Sequence, residues 1–249
     1  MRKSTYIFTE ALAVNNNSFL ANPLMLLAIA GVMGVLAAFL GRVISLHLPM
    51  VLKNGWYGLL QKNHSQEQPL LHRYKWVTYT ICILLCLVVS QLVILPAEST
   101  EYTPYHRVLV LFMVSMMLAM SIVDCNHFIL PDIINKPLLW LGLLLAALGW
   151  GWLSPKEAIL GAVMGWFVLS LSRRMIMLMK GRVLLGLGDV KLMAAYGAWV
   201  GVMHSLEATS LGCMLAIIMQ IFHRKRKIPF GPFLVLASIV MLISPWHII

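Results

Sequence analysis

Gly186-Leu187-Gly188-Asp189-Val190-Lys191-Leu192-Met193-Ala194-Ala195-Tyr196-Gly197-Ala198-Trp199-Val200-Gly201 is the stretch whose reading decides the fold. A carboxylate stands at the mouth of an apolar segment, in a chain that is 60% hydrophobic and only 11% charged. Charge within or near a bilayer is expensive, so an ionisable residue at a membrane-crossing segment is a functional candidate by default. Rivals are few, because most of the nine acidic residues fall in evident loops.

Outward from that stretch, the mean hydropathy of +0.85 and the repeated long apolar runs define an all-α, polytopic transmembrane helical bundle. At roughly 20 apolar residues per crossing, about eight spans can be fitted. They are expected near 23 to 46, 76 to 96, 107 to 123, 138 to 153, 158 to 178, 190 to 204, 206 to 222 and 229 to 245. The first begins late, after Asn15-Asn16-Asn17, and runs too long for a cleaved signal peptide, so it is expected to stay as an anchor. Pro49, Pro96, Pro137, Pro155 and Pro245 are expected at span ends, where a missing N–H is tolerated.

Lysine and arginine placement sets the expected orientation. Lys53, Lys62, Arg73 and Lys75 lie in the polar loop after the first span, and Arg224-Lys225-Arg226-Lys227 precede the last. Both loops are expected to be cytoplasmic. Eight alternating spans then bring Lys136, Arg173, Arg174, Lys180 and Arg182 to the same side, with both termini periplasmic. The net charge of +10 is thereby accounted for by topology and by anionic lipid headgroups, and no basic stripe interleaved with aromatics points to nucleic acid. Trp76, Trp150, Trp152 and Trp246 fit interfacial belts.

The four cysteines form no Cys-x-x-Cys pair; Cys82, Cys86 and Cys213 read as small buried hydrophobes and Cys125 as an inner-loop residue. Gly161 with Gly165, and Gly197 with Gly201, each put two small residues on one helix face and let backbones approach. There is no internal repeat and no linker, so residues 1–249 read as a single membrane domain.

Three acidic residues adjoin spans on the inner side: Asp124, Asp132 and Asp189. Asp124 closes the third span and Asp189 opens the sixth, so both are expected at one depth on one side. Two carboxylates in a partly desolvated site share a proton, so that one takes a proton from water while the other donates to a carbonyl oxygen. Gly186 and Gly188 would let the backbone approach a substrate. A plainer reading stands beside this one: Asp is a preferred N-cap, Asp124 could be solvated at a helix end, and Asp132 after Leu130-Pro131 could be a turn or cap residue. Asp124, Cys125 and His127 are too sparse a cluster for a metal, and His47 and His127 read as interfacial. Motifs of serine hydrolases, P-loop NTPases and zinc peptidases do not occur.

Together these segments strongly resemble the bacterial type IV prepilin peptidases, membrane aspartic proteases of the Gly-x-Gly-Asp class. Asp124 and Asp132 with Leu130-Pro131, Gly186-Leu187-Gly188-Asp189-Val190-Lys191, and Pro229-Phe230-Gly231-Pro232 occur in the order of that family, within a core of 107–249. The resemblance implies an endopeptidase that removes the short basic leader from type IV prepilins or type II secretion pseudopilins, at the cytoplasmic face of the inner membrane. It makes Asp124 and Asp189 the catalytic pair, and gives Asp132, Lys191 and the Gly and Pro positions supporting roles. No cofactor or metal is implied for proteolysis. Methylation of the new N-terminus with S-adenosylmethionine is a second family activity, and no residue here can be assigned to it. Residues 1–75 depart from the family pattern: Ala38-Phe39-Leu40-Gly41-Arg42-Val43 and His47-Leu48-Pro49 replace its usual motifs, and the loop after them has no cysteine. Two other readings use the same residues, a proton- or ion-coupled transporter and a structural scaffold. The first expects midplane acids and repeated broken helices; the second expects tolerance at both aspartates.

Overall fold

The computed structural model describes residues 23–53, 84, 88, 104–180, 185–222 and 228–243. Six helices are described: α1 (Pro23–Lys53), α2 (Pro104–His127), α3 (Asp132–Ala147), α4 (Pro155–Lys180), α5 (Leu187–Phe222) and α6 (Gly231–Ile243). No strand occurs among the described residues. Segments of α1, α2, α4 and α5 are long and apolar enough to cross a membrane, and α6 is a shorter apolar helix. Their many exposed large side chains, such as Val32, Trp140, Val163 and Ile217, are what a lipid-facing surface requires.

The long α5 is folded back on itself. Gly201 has φ 82° and ψ −173°, a conformation open essentially to glycine alone, and it interrupts the helix. A Cβ built on Gly165 of α4 would lie 2.8 Å from Ser205 Oγ and would also strike the carbonyl oxygen of Met193. Residues 193 and 205 therefore stand at one level, although a straight helix would separate them by about 18 Å. The same reversal brings Cys213 within electrostatic reach of Asp189. The sixth and seventh expected spans are thus two antiparallel halves of one element.

Packing centres on the first half of α5. Every residue from Leu192 to Gly201 is buried, and the run carries Ala194, Ala195, Gly197 and Ala198, so neighbouring backbones come close without large side chains between them. Gly161 of α4 packs directly on Gly197 and Gly201. On the α3 side, the Trp199 indole lies against Gly142 and donates to the Leu138 carbonyl at 2.8 Å. On the α6 side, Tyr196 donates to the Ser238 carbonyl at 3.1 Å. α2 joins the bundle through α1 and α6. Toward the C-terminal ends of α1 and α2, Ser45 is shared between Asn126 Nδ2 at 3.0 Å and His127 Nε2 at 2.8 Å.

Several expected boundaries shift for local reasons. α2 continues through His127 and is closed by Phe128 at φ 56°, so Cys125 is helical rather than in a loop. α3 starts at Asp132, after Pro131 at the N-cap, and ends at Ala147; Pro137 therefore lies inside a helix instead of at its end. α4 begins where Ser154 and Glu157 form a capping box, with Ser154 Oγ donating to Glu157 Oε2 at 2.9 Å. The turn of α5 falls at Gly201, a few residues before the expected gap. The span near 76 to 96 lies almost entirely outside the described residues, as do Cys82, Cys86, the loop after α1 and Arg224-Lys225-Arg226-Lys227.

Candidate active site

Asp189 is the third residue of α5 and is 5% exposed. It is not the N-cap: Oδ2 reaches back to accept the Gly186 N–H at 3.1 Å, the contact by which an acid at this position closes a helix start. The other oxygen, Oδ1, is buried without a hydrogen-bond partner. Capping therefore uses one half of the carboxylate and leaves the other half free for chemistry.

Asp124 comes from the last turn of α2 and is 4% exposed, so it is not a solvated helix-end residue. Its Oδ2 accepts the N–H of Gly231 at 2.8 Å. Gly231 is the first residue of α6, where a backbone N–H has no partner within its own helix. Pro232 follows at a position where a missing N–H costs nothing, and Phe233 N and Leu234 N turn to the Phe230 carbonyl. The Pro229-Phe230-Gly231-Pro232 stretch thus presents one donor to one catalytic candidate. A Cβ at Gly231 would stand 2.7 Å from Asp124 Oδ2, so any side chain there would have to push the carboxylate aside.

The two carboxylates are near enough for the charge of Asp124 to act on Asp189. Each is anchored by a glycine N–H, and both are withdrawn from water. Two such neighbouring buried acids resist carrying two full negative charges, which favours one shared proton. That arrangement can activate a water and protonate a carbonyl oxygen in one step.

Asp132 is set apart from the pair. It grips Lys191 with both oxygens, at 2.6 and 2.7 Å, and also meets Lys136 at 3.2 Å. The hydrogen bonds from Lys191 hold its carboxyl below the usual range, against a smaller opposing effect of burial. Leu130 and Pro131 are buried, and a Cβ on Gly188 would lie 2.7 Å from Leu130 Cβ, so the two aspartate-bearing segments pack in van der Waals contact at a glycine. Gly186 is exposed, with Asp189 folded onto its N–H. His127 is taken up by Ser45, and His47 is exposed. Among the described residues no group of three His, Cys, Asp or Glu is placed to hold a metal ion.

One residue of this site escaped the sequence reading. Asn135 is 1% exposed, and its Nδ2 faces the Gly188 carbonyl at 3.4 Å. The signal was available: Asn135 lies three residues after Asp132, on the same helix face, in an otherwise apolar run.

Comparison with known proteins places these residues in context. The type IV leader peptidase family matches residues 111–221, which hold both aspartates. Proteins named prepilin leader peptidase/N-methyltransferase are similar to the chain. That of Aeromonas hydrophila is 35% identical over 53% of this chain and 50% of its own length. That of Pseudomonas aeruginosa is 37% identical over 51% and 46%. That of Escherichia coli K12 is 31% identical over 88% of this chain and 96% of its own length. The chain spans about half the length of the first two and nearly all of the third. No solved structure gives a significant match.

Proposed function

This chain belongs to the type IV leader peptidase family, and we propose that it is a membrane-embedded aspartic endopeptidase. Its substrates are type IV prepilins or type II secretion pseudopilins, from which it removes the short basic leader at the cytoplasmic face of the bacterial inner membrane. The observation that carries this reading is the buried pair Asp124 and Asp189, each fixed by a glycine N–H, with the charge of Asp124 acting on Asp189. The transport reading finds no support among the relatives.

The pair enters the reaction with one shared proton. The ionised member takes a proton from a water molecule, and the oxygen of that water attacks the scissile carbonyl carbon. The protonated member gives its proton to the carbonyl oxygen, forming a neutral tetrahedral diol. In collapse the ionised member takes one hydroxyl proton while the protonated member gives its proton to the leaving nitrogen, the C–N bond breaks, and the pair is left with one proton again. The substrate peptide must unwind beside the pair, since a helix hides its carbonyls in internal hydrogen bonds. Eight crossings with periplasmic termini would put both aspartates on the cytoplasmic side, where the basic loops agree with the positive-inside rule. Because the leader is itself basic, these loops do not recruit it by charge attraction.

The relatives' names also include N-methyltransferase. None of the residues described around the pair is assigned to S-adenosylmethionine, and Lys191 is already taken up by Asp132. Mass spectrometry of the mature pilin N-terminus, with and without this protein, decides whether it methylates pilins.

The test of the peptidase reading is leader removal from a co-expressed prepilin in membranes. Asp124→Asn and Asp189→Asn should each abolish it with normal amounts of protein. Full cleavage by either variant would overturn the assignment.

A further inference from the structure

α3 holds the segment around Asp189 at two points. Asp132 and Asn135 lie three residues apart and therefore on one face of the helix. Asp132 grips Lys191, two residues after Asp189, while Asn135 donates to the carbonyl of Gly188, one residue before it. The reacting carboxylate is bracketed along the chain, although neither contact touches the carboxylate itself.

The two contacts differ in kind. The Asp132–Lys191 pair is substantially exposed, each side chain having 41% relative accessibility, so water screens it. Asn135 is 1% exposed, and its Oδ1 has no hydrogen-bond partner. A buried amide oxygen left unpaired carries an uncompensated desolvation cost. An apolar side chain at this site would carry no such cost. Polar groups retained against such a cost are expected where geometry at a functional centre has to be fixed. The donor of Asn135 points to the one carbonyl whose orientation sets the peptide plane leading into Asp189.

We propose that Asn135 is a positioning residue for Asp189: its amide fixes the Gly188–Asp189 peptide and thereby aims the free oxygen of Asp189 at the reacting atoms. This rests on the peptidase reading, and the experiment separates the two. Full-length protein is purified in detergent as wild type, Asn135→Leu and Asn135→Asp. Leucine removes both polar atoms while keeping the branching at Cγ, and aspartate removes the donor while keeping the size and shape, which guards against one variant failing to fold. Each is assayed with a detergent-solubilised prepilin for kcat, KM and the pH profile of kcat, normalised to folded protein. The expected result is a kcat reduced about 10- to 100-fold with KM nearly unchanged, and a displaced pH profile, because a small misplacement of a reacting group is costly.

A second readout needs no turnover. Labelling of Asp189 by a water-soluble carbodiimide, quantified by mass spectrometry, should accelerate severalfold in both variants. If wild-type protein does not cleave prepilin, the peptidase reading fails, and faster labelling alone then supports the positioning role. Unchanged labelling overturns the proposal. So does a loss of activity that merely follows the loss of folded protein, with kcat and pH profile as in wild type.

Discussion

The N–H of Gly231 stands 2.8 Å from Asp124 Oδ2, and a methyl group added at Gly231 would stand 2.7 Å from the same oxygen. One residue therefore supplies a donor to the carboxylate and cannot carry a side chain without displacing it. The relationship links the start of the last described helix to the end of α2, across a long separation in sequence.

Gly231→Ala should leave the helices intact and displace Asp124. The expected outcome is a fall in leader cleavage of about tenfold or more, since misplacing a catalytic group is costly, with helical content by circular dichroism unchanged. Wild-type cleavage by Gly231→Ala would remove the constraint from the argument.

Gly161 and Gly31 offer a paired test of packing. A Cβ at Gly161 would run into the carbonyl of Gly197, whereas one at Gly31 meets nothing within 4 Å. Gly161→Leu should sharply reduce the amount of folded protein recovered from membranes, and Gly31→Leu should recover like wild type. Size-exclusion recovery in detergent distinguishes them; equal recovery would deny that α4 and α5 pack backbone to backbone.

Gly201 isolates backbone strain from crowding. The nearest atom to an added Cβ is Leu153 Cδ2 at 3.6 Å, an ordinary contact, while φ is +82°. Gly201→Ala should therefore destabilise by about 1–3 kcal/mol through conformation alone. Melting in detergent should drop by several degrees. An unshifted melting curve would mean that the helix does not reverse at this residue.

Asp132 supplies the pH dependence. Its carboxyl is held below the usual range by Lys191, so its contribution to stability is complete above the unfolded value near 4 and disappears as pH falls through the lower folded value. Because the pair is about 41% exposed on each side, solvent screening limits the effect to below about 1 kcal/mol. The melting difference between wild type and Asp132→Asn should be small but measurable at pH 7 and should close in acid. A difference that grows in acid would contradict this sign.

The all-helical class and the withdrawal of Asp124 and Asp189 from water were legible because both follow from simple constraints: apolar length for the helices, and the cost of a charge beside an apolar segment for the two acids. The family followed from the order of three short motifs. Finer features were not legible for definite reasons. Hydropathy is blind to backbone dihedrals, so it marks a break in the apolar run near 205, whereas the chain reverses at Gly201. Asp189 was weighed as an N-cap because Asp is common there, whereas the helix starts two residues earlier and uses it from inside the first turn. Asn135 was hidden by its surroundings: a single amide in an apolar helix declares itself only when the partner across the bundle is known.

The reversal at Gly201 also limits how deep the site can sit. From Leu187 to Val200 the first half of α5 rises about 21 Å, while a bilayer hydrocarbon core is about 30 Å thick. If the turn sits at one membrane interface, a half-helix of this length is too short to carry Asp189 to the other. The lipid around it would then thin, bringing headgroups and water toward the carboxylates. Bilayer thickness thereby becomes a control on hydration of the pair, and lipids with shorter chains should favour the protein that cuts.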